Sequence, residues 1–193
     1  MSRQALALTT LCVIAAAGVF GVWLATRGDD AAATGWQGSL RPPGTRLPAF
    51  ELRDQDGETV TAAALRGAPV VVTFIYSTCE DTCPGQVQSI RGALDDLARD
   101  VPVIGVSVDP GNDTPARARA FLLEQSMSGR MDFLLGSREE LEPLWEAFGI
   151  APQRDGAEHS AYTVLVDGEG RQRLGFPASR LTPSALAHDL ARL

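Results

Sequence analysis

Two cysteines, Cys79 and Cys83, are the residues whose type and spacing point most directly to chemistry. They follow residues 70–76, a β-branched and aromatic run with the length and continuity of a parallel strand buried on both faces. Ligands of open α/β sheets bind at the carboxyl ends of such strands. If Cys79 lies in the first turn of the next helix, Cys83 shares its face, with Cβ atoms about 5–6 Å apart. This spacing predicts a pair that holds one metal ion or, after a small adjustment, closes a disulfide.

His159 is the candidate for a third ligand. It lies in a polar segment, residues 153–160, that precedes a predicted strand. A loop entering an antiparallel or terminal strand can lie at the same sheet edge as the ends of the parallel strands, which would bring His159 to the cysteines. His188, on the side of the last predicted helix away from Leu186 and Leu190, is predicted to be a solvated surface histidine.

Two thiolates and one imidazole form a soft ligand set, and soft thiolates select Cu(I). Zn(II) is the main alternative, but a structural zinc site normally completes a tetrahedron with four ligands, and no fourth histidine or cysteine is evident. The chain has only three cysteines, which is too few for a disulfide framework. A strand–helix junction is a typical place for a redox or metal pair, so two inert buried thiols are the less favoured interpretation.

The elements that must position these residues alternate between strands and helices. Strands are predicted at residues 70–76, 102–108, 131–135, 161–167 and 172–176, a hairpin at 50–52 and 59–61, and helices from Pro84 to about Arg99, Thr114 to Gly129, Ser137 to Phe148 and Thr182 to Leu193. Pro143 predicts a kink or a late start of the third helix. The pattern predicts an α/β fold with helices on both faces of the sheet, and the closing hairpin makes the sheet mixed.

Composition limits the function classes. The 193 residues have room for one domain plus a tail or anchor. The 17 basic residues, all arginine, face 24 acidic ones, which gives a net charge of −7. The chain has no basic stripe to neutralise phosphates, so we expect no nucleic-acid binding.

The N-terminal residues 1–27 are predicted to be a membrane anchor. Residues 5–26 carry no charge and are bounded by Arg3 and Arg27, and a helix of about 20 apolar residues crosses a bilayer. The flanking charges weakly favour a cytoplasmic N-terminus and an exported C-terminal part. The alternative is a signal peptide cleaved after Ala17, although cleavage there would leave an apolar new terminus.

Three regions follow from this: the anchor or signal sequence at 1–27, an Ala-, Gly- and Pro-rich linker at 28–46, and a folded domain at 47–193. Cys12 is interpreted as a lipid-facing residue, because Leu11 stands where a lipoprotein signal needs a small residue. Either export route would place Cys79 and Cys83 in an oxidising compartment.

At these residues the chain resembles the SCO/SenC family of membrane-anchored, thioredoxin-like copper proteins. The family element Phe-x-Tyr-x-x-Cys-Pro-x-x-Cys-Pro appears as FIYSTCEDTCP at residues 74–84, with Glu80 in place of the first proline. The family's Ser-Val-Asp-Pro and Asp-Thr-Pro appear at 107–110 and 113–115, and its Asp-His-Ser appears as Glu158-His159-Ser160. The order of elements agrees from about residue 47 to 193.

The resemblance implies a copper chaperone that helps to assemble the dinuclear copper centre of cytochrome c oxidase. Cys79, Cys83 and His159 would bind Cu(I), with Asp81, Glu158 and Asp109 next to them. The partner would be the copper-containing oxidase subunit or another periplasmic copper protein. The domain would lie on the outer side of the bacterial cytoplasmic membrane. Acidic residues such as Glu158 near the site would disfavour thiolate formation or attract a cationic donor.

Two enzymatic alternatives remain. The first is a thiol–disulfide reductase that uses the Cys79–Cys83 couple on exported proteins, although a Cys-x-x-Cys spacing would suit it better. The second is a peroxidase, which needs a low-pKa cysteine with an arginine partner. No arginine lies within ten residues of Cys79, which disfavours a peroxidase.

Overall fold

The computed structural model describes residues 35–97, 99–153 and 161–193. The predicted anchor, Cys12, Glu158 and His159 therefore lie outside the described residues. Within these ranges, no helix has both the length and the apolar character needed to span a bilayer.

The described chain forms a six-stranded mixed sheet and a separate hairpin. In chain order the elements are β1 (Ser39–Leu40), β2 (Glu51–Arg53), β3 (Thr59–Thr61), β4 (Val70–Ile75), α1 (Thr82–Asp96), β5 (Val103–Ser107), α2 (Pro115–Glu124), β6 (Asp132–Leu134), α3 (Arg138–Phe148), β7 (Tyr162–Val166), β8 (Gln172–Pro177) and α4 (Pro183–Leu190), with a short 3₁₀ turn at Ala178–Arg180. The sheet order is β1-β8-β7-β4-β5-β6. Strands β4, β5 and β6 are parallel, while β7, β8 and β1 pair antiparallel with their neighbours.

The central strand is β4, whose side chains are all buried. Successive side chains of a strand point to opposite faces. On one face, Phe74 packs against Phe148 of α3 with ring centroids 5.2 Å apart. On the other, Thr73 receives a hydrogen bond from Gln86 of α1. The predicted mixed α/β sheet with helices on both faces and an N-terminal hairpin of β2 and β3 is therefore confirmed.

The start of α3 and the end of α2 follow local capping chemistry. The predicted capping box of Ser137 and Glu140 is present. Of the two effects predicted for Pro143, a kink or a late start, the late start is wrong, because α3 begins at Arg138. Helix α2 ends at Glu124, before the predicted stop at Gly129. Its end is a Schellman turn in which Met127 N donates to the Leu122 carbonyl at 2.8 Å, with Ser126 in the left-handed region at φ 57.

Part of the predicted linker belongs to the fold. Strand β1 pairs with β8 through Ser39 and Gly175, and the compact unit begins at Gln37. The carboxylate of Asp189, which is fully buried in α4, accepts hydrogen bonds from Gln37 N at 3.0 Å and Gly38 N at 2.8 Å. His188 Nδ1 lies 2.9 Å from the same carboxylate, so this histidine is tied to a buried group and is not merely solvated.

Candidate metal centre

Both cysteines lie at the carboxyl edge of the parallel strands, where β4 ends at Ile75. The condition that Cys79 lies in the first helical turn is not met, because α1 begins at Thr82 and contains only Cys83. Cys79 precedes the helix, and its sulfur accepts a hydrogen bond from the backbone N–H of Cys83 at 3.2 Å. The Cys79 sulfur therefore takes the place of a capping side chain at the N-terminus of α1.

The hydrogen bonds around Cys79 favour its thiolate. A hydrogen bond from the Cys83 thiol is the largest cause that lowers the pKa of Cys79, to about 5. Burial opposes this shift, while the backbone N–H groups of Cys83 and Asp81 and the hydroxyl of Tyr76 add to it. A helix N-terminus stabilises a thiolate in the same direction. At neutral pH the pair therefore holds one negative charge, on Cys79.

Cys83 and Tyr76 carry the protons of this arrangement. The hydrogen bond to Cys79 and burial raise the pKa of Cys83 well above its ordinary value. Burial, followed by the hydrogen bond to Cys79, raises the pKa of Tyr76 to about 12. The two cysteines are not joined in a disulfide. A soft cation that binds both sulfurs has to displace only the proton of Cys83.

Asp113 fixes the two loops that frame the cysteines, a role that the sequence interpretation missed. Its carboxylate accepts hydrogen bonds from Ser77 N at 2.7 Å, Ser77 Oγ at 2.6 Å and Ser107 Oγ at 2.5 Å. Ser77 follows β4 and Ser107 ends β5, so one buried carboxylate ties the ends of both strands together. Its signal in the sequence was its place in the Asp-Thr-Pro element at 113–115.

Of the residues predicted next to the ligands, Asp109 and Asp81 lie in the described part of the chain. The Asp109 carbonyl accepts hydrogen bonds from Asn112 N and Asp113 N, so Asp109 shapes the loop that carries Asp113. Asp81 is exposed at the N-cap position of α1, where its side chain makes no capping hydrogen bond. Its contribution is the backbone N–H that favours the Cys79 thiolate.

In residues 35–97, 99–153 and 161–193, no three side chains of histidine, cysteine, aspartate or glutamate converge as a metal ion would require. The described chain thus brings together Cys79 and Cys83. The third predicted ligand, His159, and its neighbour Glu158 fall in the gap at 154–160. The ligand set Cys79, Cys83 and His159 stays a prediction.

Comparisons with known proteins agree on one family. The chain is 29% identical over 161 residues to the SCO1 protein homolog of Bacillus subtilis, covering 78% of this chain and 83% of that protein. It resembles the solved structure of Bradyrhizobium japonicum ScoI with copper bound, with 33% identity, a TM-score of 0.63 and coverage of 75% of this chain and 97% of that one.

A further neighbour, BsSco, was solved in work that identified a disulfide switch in a member of the Sco family of cytochrome c oxidase assembly proteins. It is 26% identical with a TM-score of 0.68, covering 80% of this chain and 96% of that one. These neighbours share the thioredoxin-like arrangement of sheet and helices described above. The SCO1/SenC family model matches residues 40–193. This protein belongs to the SCO1/SenC family.

Proposed function

We propose that this protein is a membrane-tethered copper chaperone that binds Cu(I) and delivers it to the dinuclear copper centre of cytochrome c oxidase. The observation that carries the proposal is the pairing of Cys79 and Cys83 at the carboxyl edge of the sheet, where the Cys79 sulfur accepts a hydrogen bond from Cys83 N at 3.2 Å. Solved family members with copper bound support it. Copper is here the cargo that the protein passes on.

Three side chains would hold the cargo. Cys79 and Cys83 would bind Cu(I) as thiolates, which soft Cu(I) prefers, and His159 would supply an imidazole nitrogen. Asp109 and Asp81 would act through the backbone of the loops, and Glu158 would add negative charge beside His159. Binding would release the proton of Cys83, so we expect copper affinity to fall in acid.

Delivery would proceed by ligand exchange, in which cysteines of the recipient replace those of this protein one at a time. The side chains beside the pair, Glu80 and Asp81, are exposed and acidic. Complementary charge raises the rate of encounter between partners. A recipient or donor that presents a basic rim around its own copper ligands would fit this edge, and the copper-containing oxidase subunit is the recipient we propose.

The test is Cu(I) binding by the reduced protein. We expect one Cu(I) per monomer and a strong loss of affinity in His159→Ala, measured by competition with a Cu(I) chelator. Cys79→Ser and Cys83→Ser should also lose binding, while His188→Ala is the matched control and should bind like wild type. The chaperone proposal fails if His159→Ala binds copper as well as wild type and retains only reductase activity.

A thiol–disulfide reductase is the second candidate, favoured by the opposite pKa shifts of Cys79 and Cys83. The Cys79 thiolate would attack a substrate disulfide, forming a mixed disulfide and releasing one substrate thiolate. Cys83, after losing its proton, would attack the Cys79 sulfur and release the second, leaving this protein oxidised. The reductase hypothesis predicts that the protein turns over a protein disulfide without copper when an external thiol is the reductant. This turnover should be lost in Cys79→Ser.

For the location, we propose an uncleaved anchor at residues 1–27 with the folded domain outside the bacterial cytoplasmic membrane. The charge-free residues 5–26 support this proposal. Sequencing the N-terminus of the protein from purified membranes is the test. An intact Met1 or Ser2 is expected, and a start near Gly18 would mean that the segment is a cleaved signal peptide.

A further inference from the structure

Gln86 is a buried polar residue on α1, one turn after Cys83, with 2% of its surface exposed. Its side-chain nitrogen lies within hydrogen-bond distance of Thr73 Oγ1, at 3.0 Å from Thr163 Oγ1 and at 3.1 Å from the Tyr162 carbonyl oxygen. The two threonine hydroxyls are themselves 3.0 Å apart. One amide thus joins α1 to both β4 and β7.

These contacts lie where the two strands part. The ladder between β4 and β7 ends at the pair Thr73–Thr163. At Tyr162, the residue before Thr163 and the first of β7, the carbonyl oxygen accepts a hydrogen bond from Gln86 of α1. In sequence, Gln86 follows Cys83 by three residues, and Tyr162 follows His159 by three. The side chain therefore spans the fork between β4, which leads to the cysteines, and β7, which follows His159 in the sequence.

Within the described chain, the hydrogen bonding of the Gln86 side chain is incomplete, which lowers the stability of the folded protein relative to an apolar side chain of the same shape. Its nitrogen has two hydrogens for three nearby oxygens, and its own oxygen, Oε1, is buried with no hydrogen-bond partner among the described residues. A buried unpaired acceptor lowers stability, and an apolar residue of similar shape would avoid that cost. The arrangement favours a role in fixing geometry over a role in stability alone.

We propose that Gln86 is a positioning residue for the metal site: it sets the first turn of α1, and with it Cys83, against the start of β7. This inference rests on the proposed copper function. Gln86 acts through the backbone of α1 and β7, and we assign it no contact with the metal. Residues that orient metal ligands commonly change metal affinity about 10–100-fold when they are replaced.

The experiment compares Gln86→Met with Gln88→Met in the full-length reduced protein. Gln88 lies on the same helix and donates to Gln125 Oε1 at 3.0 Å, which ties α1 to the end of α2 and away from the cysteines. Both variants lose side-chain hydrogen bonds of one glutamine in α1, so their thermal unfolding provides the structural control. Cu(I) alone is the probe, with affinity measured by chelator competition and sulfur and nitrogen ligands counted by X-ray absorption.

We expect Gln86→Met to lower Cu(I) affinity about 10-fold or more and to change the ligand count, with Gln88→Met binding like wild type. Equal losses in both variants, or wild-type affinity in Gln86→Met, would overturn the proposal. Amide hydrogen exchange of the copper-free proteins separates it from the proposed function: β7 should exchange faster in Gln86→Met than in Gln88→Met. If wild type binds no Cu(I), the chaperone proposal fails, whereas equal exchange in the two variants overturns the bridging role of Gln86.

Discussion

Two buried aspartates lie at opposite ends of the central strands, one at the carboxyl edge of β4 and one at the edge where β4 begins. Their hydrogen-bond partners show how differently these two edges are built. Asp113, 8% exposed, lies at the carboxyl edge of β4 and β5 beside the cysteines. Asp167, 6% exposed, follows β7 at the edge where β4 begins. Asp113 is held by serine hydroxyls and one backbone N–H. Asp167 is held by backbone N–H groups and by the guanidinium groups of Arg171 and Arg173.

The different donors give opposite shifts. Burial raises the pKa of Asp113, and the neutral donors Ser107 and Ser77 only partly oppose it. Burial also acts to raise the pKa of Asp167, but the hydrogen bonds and charges of Arg171 and Arg173 outweigh it, so that this pKa is lowered. At the edge where β4 begins, the charged form of Asp167 is thus stabilised by its partners. At the cysteine edge, by contrast, burial disfavours the ionised form of the carboxyl group that links the ends of β4 and β5.

The largest expected effect comes from removing each carboxylate. Asp113→Ala strands the N–H and hydroxyl of Ser77 and the hydroxyl of Ser107, and should lower the free energy of unfolding by about 2–4 kcal/mol. It should also weaken Cu(I) binding, because Ser77 lies two residues before Cys79. Asp167→Ala should cost about 1–3 kcal/mol and leave Cu(I) affinity unchanged, because its arginine partners can turn to solvent. Urea unfolding and chelator competition measure both; equal copper losses would erase the contrast between the edges.

The pH dependence of stability should separate the two carboxylates next. The lowered pKa of Asp167 means that its contribution is present above its unfolded pKa of about 4 and is lost as pH falls through the folded value. The raised pKa of Asp113 has the opposite sign: its contribution is present below about pH 4 and is lost as pH rises through the folded value.

The measurement is urea unfolding of wild type, Asp167→Asn and Asp113→Asn between pH 3 and pH 7. Relative to wild type, Asp167→Asn should be most destabilised at neutral pH and least in acid. Asp113→Asn should show the reverse trend. Parallel curves for the two variants would show that the arginines near Asp167 do not distinguish it from Asp113.

Tyr76→Phe should alter charge at the cysteine edge with little effect on stability. The variant loses the hydroxyl that helps to lower the pKa of Cys79. We expect that pKa to rise by about half a unit to one unit, which corresponds to a hydrogen bond of about 0.7–1.4 kcal/mol to the thiolate. The rate of Cys79 alkylation against pH measures it, with Tyr162→Phe as the control that should leave the profile unchanged.

The smallest expected effect comes from changing Ser126, which is next to neither aspartate. Ser126 ends α2 in the left-handed region, where glycine has no steric penalty. Ser126→Gly should stabilise the protein by about 0.5–1 kcal/mol, seen as a higher midpoint of thermal unfolding. Cu(I) affinity should stay at the wild-type value, because Ser126 follows the end of α2, whereas the loop that carries Asp113 precedes its start. A lower midpoint would show that the serine side chain compensates for its backbone conformation.

Features encoded by neighbouring residues were predictable from the sequence. The β-branched run of β4, the capping box of Ser137 and the Thr182-Pro183 start of α4 are local signals, and the structure confirms them. The cysteine pair was found in the same way, because a strand followed by two thiols is a pattern within 15 residues, 70–84.

Features that depend on distant residues were missed. Strand β1 has two residues and forms only because β8, more than 130 residues later, offers an open edge. The link from Asp113 to Ser77 joins two loops across the sheet edge, and although Asp113 stands in the Asp-Thr-Pro element, no local pattern identifies Ser77 as its partner. Cys79 lies before α1, where its sulfur accepts hydrogen bonds from the backbone N–H groups of Asp81 and Cys83, and the cysteine spacing alone does not predict this arrangement. Whether His159 completes the site stays a prediction from the sequence and the family.

If residues 1–27 anchor the chain to a membrane, as we propose, the way the N-terminal part of the described chain joins the sheet determines how the domain bears force. Tension on the chain before Gln37 would load β1 along its pairing with β8, together with the hydrogen bonds that Gln37 N and Gly38 N donate to Asp189 in α4. Strand β4, which leads to the cysteines, is separated from β1 by β8 and β7. A pull on the chain before Gln37 would therefore act on the β1 side of the sheet before it reached the strand that leads to Cys79 and Cys83.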